Sequence, residues 1–266
     1  MPELTHGALC TKNNRRLARF YQTVFGWEEV WNEVQNSPYS VYIGDGYFQL
    51  NCLQIRSGSG RVKFIDGKEV FPPVGINHLG FQIADTAMVE DIAKKLASVD
   101  PSTEMEKSRP DGRYEEFRFD DIEGNPLELS RIGWPAGDGK NAIMIRHVGI
   151  GAKDPVRVAD YYKLLFSMKE VRHERNDAIE LSDGFFNLSI VKSSPENKQG
   201  IHALGFKVPS VAAIEETVKK TMRKYTYPGE APIQLHREAL EGSGKAVWLN
   251  DPDGNRVELS EAGWQV

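Results

Sequence analysis

The sequence predicts an α+β protein of four βαβββ modules, paired into two cup-shaped half-barrel domains. Three observations lead there. The chain repeats itself, each half is doubled again, and the doubled unit alternates one helical segment with several short strands. "HGALCTKNNRRLARFYQTVFGW" (His6 to Trp27) matches "HVGIGAKDPVRVADYYKLLFSM" (His147 to Met168) without a gap. "GDGYFQL" (Gly44 to Leu50) matches "SDGFFNL" (Ser182 to Leu188), and "DIEGNPLELSRIGW" (Asp121 to Trp134) matches "DPDGNRVELSEAGW" (Asp251 to Trp264). The domains are expected at residues 1–134 and 143–266, with 135–142 as linker around the Pro/Gly/Asp-rich "PAGDGKN".

A strand opens each quarter, around His6, His78, His147 and Leu204. A helix follows. "RRLARFYQTVF" places Leu17, Phe20, Tyr21 and Phe25 at helical spacing, and "VEDIAKKLASV" and "VAAIEETVKKTM" behave alike. "YSVYIGDGYFQLNCL" has β-branched and aromatic residues around an Asp-Gly turn, a hairpin signal. "EEFRFDD" and "KAVWLND" lead through "EGN" and "DGN" turns into "PLELS" and "RVELS", again as hairpins. One module cannot cover its own sheet, so pairs should combine into curved sheets.

With 266 residues and 40% hydrophobic content, the chain is long enough for a sizeable core. The net charge of −5 arises from 33 basic and 38 acidic residues, and no Lys/Arg run exceeds a pair, so nucleic acid is not an expected partner. Neither a membrane span nor a basic-then-apolar leader is expected. Cys10 and Cys52 form no CxxC, which suits a cytoplasmic protein with reduced thiols; a single disulfide stays open.

Side-chain alternation along the strands groups the candidate chemistry. His6, Ala8 and Cys10 share a face; so do His78, Gly80 and Gln82, and His147, Gly149 and Gly151. Glu128 and Glu258 alternate with leucine and valine in the last strands. Two imidazoles and a carboxylate suit one divalent ion of Fe, Mn, Zn, Ni or Co, with open positions for substrate or oxygen. A lone strand histidine is usually structural; recurrence at matching places in both halves is what singles these residues out.

Through "HGALCTKN", "HVGIGAKDP", the "FYQTVFGW" and "YYKLLFSM" helices, "NHLGFQI" and the "GNPLEL" and "GNRVEL" endings, the chain resembles the vicinal oxygen chelate superfamily. That superfamily includes glyoxalase I, methylmalonyl-CoA epimerase, fosfomycin-resistance proteins and extradiol ring-cleaving dioxygenases. The resemblance implies paired modules forming a cup around one metal. Carried onto this sequence, it implies His6, His78 and Glu128 as ligands, with Gln49 as a fourth ligand or as a residue behind the ligands or against substrate.

In the C-terminal half the same positions hold His147, Asn187, Ala203 and Glu258. If "HLGF" aligns with "ALGF", His202 points to the opposite face, because a one-residue shift inverts a strand side chain. A β-bulge would return it to the cup. His147, His202 and Glu258 therefore form a second, weaker candidate site. Dioxygenases of the resembled type carry a histidine near the end of the third module and a tyrosine about ten residues before the last ligand. Here "FNLSIVKSS" has no histidine, and Arg118 and Trp248 stand at the tyrosine position of the two halves.

The leading expectation is a divalent-metal isomerase or lyase of the glyoxalase or epimerase type, acting on a small oxygenated organic substrate. Glu128 would be its base, and Cys10, Gln82 and Arg113 (in "PDGRYEEF", with Tyr114) would meet substrate. One alternative is an extradiol-type dioxygenase that cleaves a catechol-like aromatic with non-haem Fe(II). Another is a non-catalytic small-molecule binding or drug-resistance protein. Phe48, Phe117, Phe186 and Trp248 are expected in the core, His173 and His236 on the surface, and "RSGSGR" in a loop. A homodimer is left open.

Overall fold

The computed structural model describes residues 2–30, 38–57, 63–65, 68–107, 116–131, 133–137, 139, 141–174, 178–195, 197–221, 233–239 and 245–266. Arg113 and Tyr114 lie outside the described residues, as does much of "RSGSGR".

The first module runs β1 (Glu3–Thr11), α1 (Asn14–Phe25), β2 (Glu28–Glu29), β3 (Ser40–Gly44) and β4 (Gln49–Gln54). A separate two-stranded hairpin follows, β5 (Lys63–Ile65) and β6 (Lys68–Val70), which the repeat pattern did not predict. The second module is β7 (Gly75–Gln82), α2 (Thr86–Val99), β8 (Glu106–Lys107), β9 (Glu116–Asp120) and β10 (Pro126–Ser130). The third is β11 (Met144–Ala152), α3 (Pro155–Phe166), β12 (Lys169–Glu174), β13 (Ala178–Ser182) and β14 (Asn187–Lys192). The fourth is β15 (Gly200–Lys207), α4 (Val211–Thr221), β16 (Leu235–Ala239), β17 (Lys245–Asn250) and β18 (Arg256–Ser260).

Each half forms one eight-stranded half-barrel sheet, ordered β2-β3-β4-β1-β7-β10-β9-β8 and β12-β13-β14-β11-β15-β18-β17-β16. The module-opening strands pair antiparallel at the centre of each sheet, β1 with β7 and β11 with β15. Each also takes a module-final strand in parallel, β1 with β4 and β7 with β10. This topology sets the histidine and glutamate strands side by side.

Local signals explain the helices. Asn13, Asp85 and Asp154 cap α1, α2 and α3 by accepting from Arg16, Met88 and Arg157 backbone N–H groups. The apolar stripe of α1 buries Leu17, Phe20, Tyr21, Val24 and Phe25.

The core is continuous across both halves. Phe81 of β7 stacks on Phe166 of α3 at 4.0 Å, and Phe206 of β15 stacks on Phe25 of α1 at 4.3 Å. Each half thus packs a strand phenylalanine on the other half's helix. Polar clamps repeat the same relation. Tyr21 Oη donates to Asp251 at 2.9 Å and Tyr162 Oη to Asp121 at 3.1 Å. Leu4 N–H donates to Asp183 at 3.0 Å and Ile145 N–H to Asp45 at 2.8 Å. The aspartates of the "DIEGN" and "DPDGN" turns therefore hold both their own turn and the opposite half. Phe48 and Phe186 are fully buried in the core and Phe117 packs against it, as expected; Trp248 does not belong to it. Cys10 and Cys52 are both buried and form no disulfide. Among the described residues no helix is long and apolar enough to cross a membrane.

Tyr21→Phe removes a buried hydrogen bond to a carboxylate and should cost about 1.5–3 kcal/mol in urea denaturation, with Tyr162→Phe behaving alike. A change below about 0.5 kcal/mol in both would show that the clamps do not hold the halves together.

Candidate metal centre

Two β-bulges shape the central strand pair of each sheet. Between β1 and β7, Ala8 pairs with His78 and Leu9 with Ile76, so Asn77 is the extra residue. Between β11 and β15, Gly149 pairs with Ala203 and Ile150 with Ile201, so His202 is the extra residue. A second bulge leaves Thr5 and Arg146 outside the register at the strand starts. After it, His6 and His147 face the concave side, while Leu9 and Ile150 face the core.

On the N-terminal sheet the register sets His6 beside both Gln49 and Gly80, and Glu128 beside both Gly80 and Arg118. His6, His78 and Glu128 are 2%, 0% and 2% exposed. The Nε2 atoms of His6 and His78 lie 3.2 Å apart, and Glu128 Oε2 lies 3.2 Å from His78 Nε2. One ligand atom from each residue lies within 4.8 Å of the other two. Donor atoms about 3 Å apart are what an ion with bonds of about 2.0–2.2 Å requires, so the three residues fit a divalent metal.

Neighbours aim these groups. Asn77, the bulge residue, has Oδ1 2.9 Å from His78 Nδ1. That contact puts the ring proton on Nδ1 and leaves Nε2 as the ligand atom. Arg118 Nε sits 2.7 Å from Glu128 Oε1, close but poorly angled as a hydrogen bond, and its Nη2 donates to Glu116 at 2.9 Å. Burial opposes the Arg118 charge, yet Glu128 and Glu116 raise its pKa on balance. Trp134 stacks on the His6 ring at 4.6 Å and 12°. Gln49 Nε2 donates to the Pro135 carbonyl at 2.7 Å. Its Oε1 is buried with no hydrogen-bond partner among the described residues, a further oxygen suited to a cation.

A cleft of about 780 Å³ reaches this group at Glu128; His6, His78 and Gln49 are not among its lining residues. Its lining includes Phe71, Pro72, Pro73, Thr103 and Glu106, together with Asn77, Arg118 and Glu128. Cys10 is buried on β1, paired with Gly75 and Leu53. Gln82 is exposed at the end of β7, with its amide against Gly133. Neither is among the residues lining the cleft.

The C-terminal sheet is built alike but does not converge. His202 does not take the opposite face that alignment of "ALGF" with "HLGF" suggests. The bulge turns it to the cup, where a Cβ on Gly149 would lie 3.2 Å from its ring and 3.1 Å from Ala203. Even so, among the described residues His147, His202 and Glu258 do not form a group that could hold a metal. His147 Nδ1 meets Asn187 Oδ1 at 2.8 Å and its Nε2 meets Glu258 at 3.4 Å. Arg256 binds Glu258 at 2.8 Å and lies over the Trp248 ring at 4.4 Å. His236, expected at the surface, is half-buried and stacks on Trp248 at 5.4 Å. Strand pairing of Trp248 with both His236 and Glu258 puts it here rather than in the core. The His173 side chain lies outside the described residues.

Sequence reasoning passed over Trp134, Trp264 and Asn77. The one available signal for the tryptophans was their recurrence in "SRIGW" and "SEAGW".

Residues 3–129 match the family model described as Glyoxalase/Bleomycin resistance protein/Dioxygenase superfamily. Over these residues the chain is similar to that superfamily, in line with the sequence resemblance. The family's description spans glyoxalases, resistance proteins and dioxygenases and leaves the reaction open. No curated protein sequence matches it. Solved structures share its fold over nearly its full length. The 2,3-dioxygenase LapB from Pseudomonas sp. KL28 is 17% identical, with a TM-score of 0.65, covering 99% of this chain and 92% of that one. The Mn(II)-bound glyoxalase from Novosphingobium aromaticivorans is 13% identical, with a TM-score of 0.69, covering 98% and 83%. The 2,2',3-trihydroxybiphenyl 1,2-dioxygenase from Sphingomonas wittichii strain RW1 is 12% identical, with a TM-score of 0.66, covering 97% and 89%.

Burial raises the Glu258 pKa, but His147, Arg256 and His202 outweigh it and bring the group from 4.5 down to about 2. A carboxylate with a depressed folded-state pKa stabilises the fold above its unfolded value, and that stability is lost as pH falls toward the folded value. Glu258 should therefore contribute up to roughly 3 kcal/mol at pH 7 that disappears between about pH 4.5 and 2. Urea denaturation of wild type and Glu258→Gln should differ at pH 7 and converge toward pH 2; an equal difference at both ends would contradict the assignment.

Proposed function

We propose that this chain is a divalent-metal-dependent isomerase or lyase of the glyoxalase or epimerase type, acting on a small oxygenated organic substrate. The observation that supports it is the convergence of His6, His78 and Glu128, with the buried Gln49 Oε1 beside His6 in the strand register. Held there, an ion of Fe, Mn, Zn, Ni or Co would act as a Lewis acid on two neighbouring substrate oxygens. His6, His78, Glu128 and Gln49 are the residues assigned to hold it. Substrate enters through the cleft that Phe71, Pro72 and Pro73 line. If Glu128 leaves the ion, its carboxylate would accept the proton from the carbon beside those oxygens and return it to the product, with Arg118 beside Oε1 keeping it in place.

In this reading residues 1–134 form the catalytic domain, 135–142 the connection, and 143–266 a supporting domain with a degenerate site. All the assigned ligands come from one chain, so the centre needs no second copy. The two cysteines, which form no disulfide, favour a cytoplasmic location.

A second reading is an extradiol-type dioxygenase using non-haem Fe(II) on a catechol-like substrate. The two-His, one-carboxylate set favours it if Gln49 stays outside the metal, as does the whole-chain likeness in fold to dioxygenases.

Elemental analysis of the purified protein should find one equivalent of a divalent metal, lost in His78→Ala. Unchanged metal content in that variant would sink the assignment. The loaded protein should consume no oxygen with catechols; stoichiometric oxygen uptake with Fe(II) would establish the second reading instead.

A further inference from the structure

We propose that Trp134, Pro135 and Ala136 form a strap that positions the ligands of the metal centre, with Trp134 as its principal positioning residue. This rests on the reading of His6, His78 and Glu128 as that centre. The segment follows β10; Trp134 was expected to close the N-terminal domain and Pro135 to begin the linker. Its contacts are those of a structural part of the site.

Trp134 lies flat on the His6 imidazole. Gly80 sits beneath both rings: a Cβ there would come within 2.8 Å of Trp134 and 2.9 Å of His6. No side chain other than hydrogen fits, so the ring has little room to turn. The next residue, Pro135, accepts the Gln49 amide through its carbonyl. The residue after that, Ala136, accepts the Gly46 N–H at 2.6 Å and presses on Gly44, where a Cβ would fall 2.1 Å from its oxygen. Three consecutive residues thus orient a ligand on β1 and a candidate ligand on β4, and fasten themselves to the β3–β4 hairpin that carries Gln49. Fixing ligands before the ion arrives lowers the ordering cost of binding.

The other half holds an internal control. Trp264 stacks on His147 at 4.7 Å and 3°, and the Gln265 carbonyl accepts from Asn187 at 2.9 Å. A Cβ at Gly205 would lie 2.6 Å from both Trp264 and His147. Yet Ala203 replaces the second histidine there, and both His147 nitrogens meet protein groups. The strap therefore orients an imidazole whatever faces it. Metal binding follows only where a second histidine and a carboxylate converge on the oriented ring.

The test is Co²⁺ titration of the purified full chain, read by visible absorption and by tryptophan emission, with far-UV circular dichroism as the folding check. Trp134→Ala should weaken Co²⁺ binding at least about tenfold, as expected for loss of a group that orients a ligand. Trp134→Phe, which keeps an aromatic face, should restore most of the affinity while losing most of the Co²⁺-dependent quenching. Trp264→Ala should leave Co²⁺ affinity unchanged. Wild-type affinity in Trp134→Ala would overturn the strap, and so would equal weakening by Trp264→Ala, which would mark general destabilisation. If Trp134→Ala does not fold, Trp134→Leu and Gly80→Ala, which wedges the stack apart, carry the same expectation. His78→Ala separates the two levels. Binding that survives this substitution overturns the centre itself; binding lost in His78→Ala but kept in Trp134→Ala overturns the strap alone.

Discussion

The meeting of His6 Nε2 and His78 Nε2 at 3.2 Å is the contact on which the rest of the site depends. Two imidazole nitrogens do not approach so closely beside a carboxylate oxygen without a proton or a cation between them. Several separate features produce that approach. The central antiparallel pair β1–β7 brings the two strands together, and the bulge at Asn77 supplies a side chain that orients the second ring. Parallel pairing of β10 with β7 delivers Glu128, and Arg118 on the next strand holds its other oxygen. Behind the sheet, Leu79, Phe81, Leu127 and Leu129 alternate with these polar groups and bury the opposite face. The same alternation that builds the core therefore points the chemistry into the cup.

The two halves show what small changes do to this arrangement. Each keeps the stacked tryptophan, the glycine beneath it, the double bulge and the final-strand glutamate. At the His78 position the C-terminal half has Ala203, and the imidazole moves one place back into the bulge. Asn187, one methylene shorter than Gln49, puts its oxygen on His147 Nδ1 instead of leaving it free for another partner. Arg256 replaces Arg118 as the cation on the glutamate, from the same strand rather than the neighbouring one. The outcome is a chain of hydrogen bonds and ion pairs that ties His147 and Glu258 to protein groups. Such a half contributes structure: its helix α3 packs on Phe81 directly behind the His78 strand.

Much of this was legible in the sequence. The duplication and the module order follow from the repeats, and period-two alternation groups side chains along each strand; the set His6, His78 and Glu128 is what the family resemblance implied. The family resemblance and the match over residues 3–129 agree with that reading. What alternation does not reveal is where it breaks. A bulge at His202 reversed the face that strict alternation assigns, and nothing local in "GIHALGF" marks it. Stacking of Trp134 on His6 joins residues far apart in sequence, so only the recurrence of "GW" hinted at it. The β5–β6 hairpin lies between modules, outside the repeat, and for that reason had no counterpart to announce it.

Metal-soaked crystals of the full chain, measured at the absorption edge of cobalt or manganese, test the central claim most directly. A single anomalous peak between His6, His78 and Glu128, with none beside His147 and Glu258, is the predicted result. A peak in the C-terminal cup, or none in either, would contradict the placement of the chemistry in the N-terminal half.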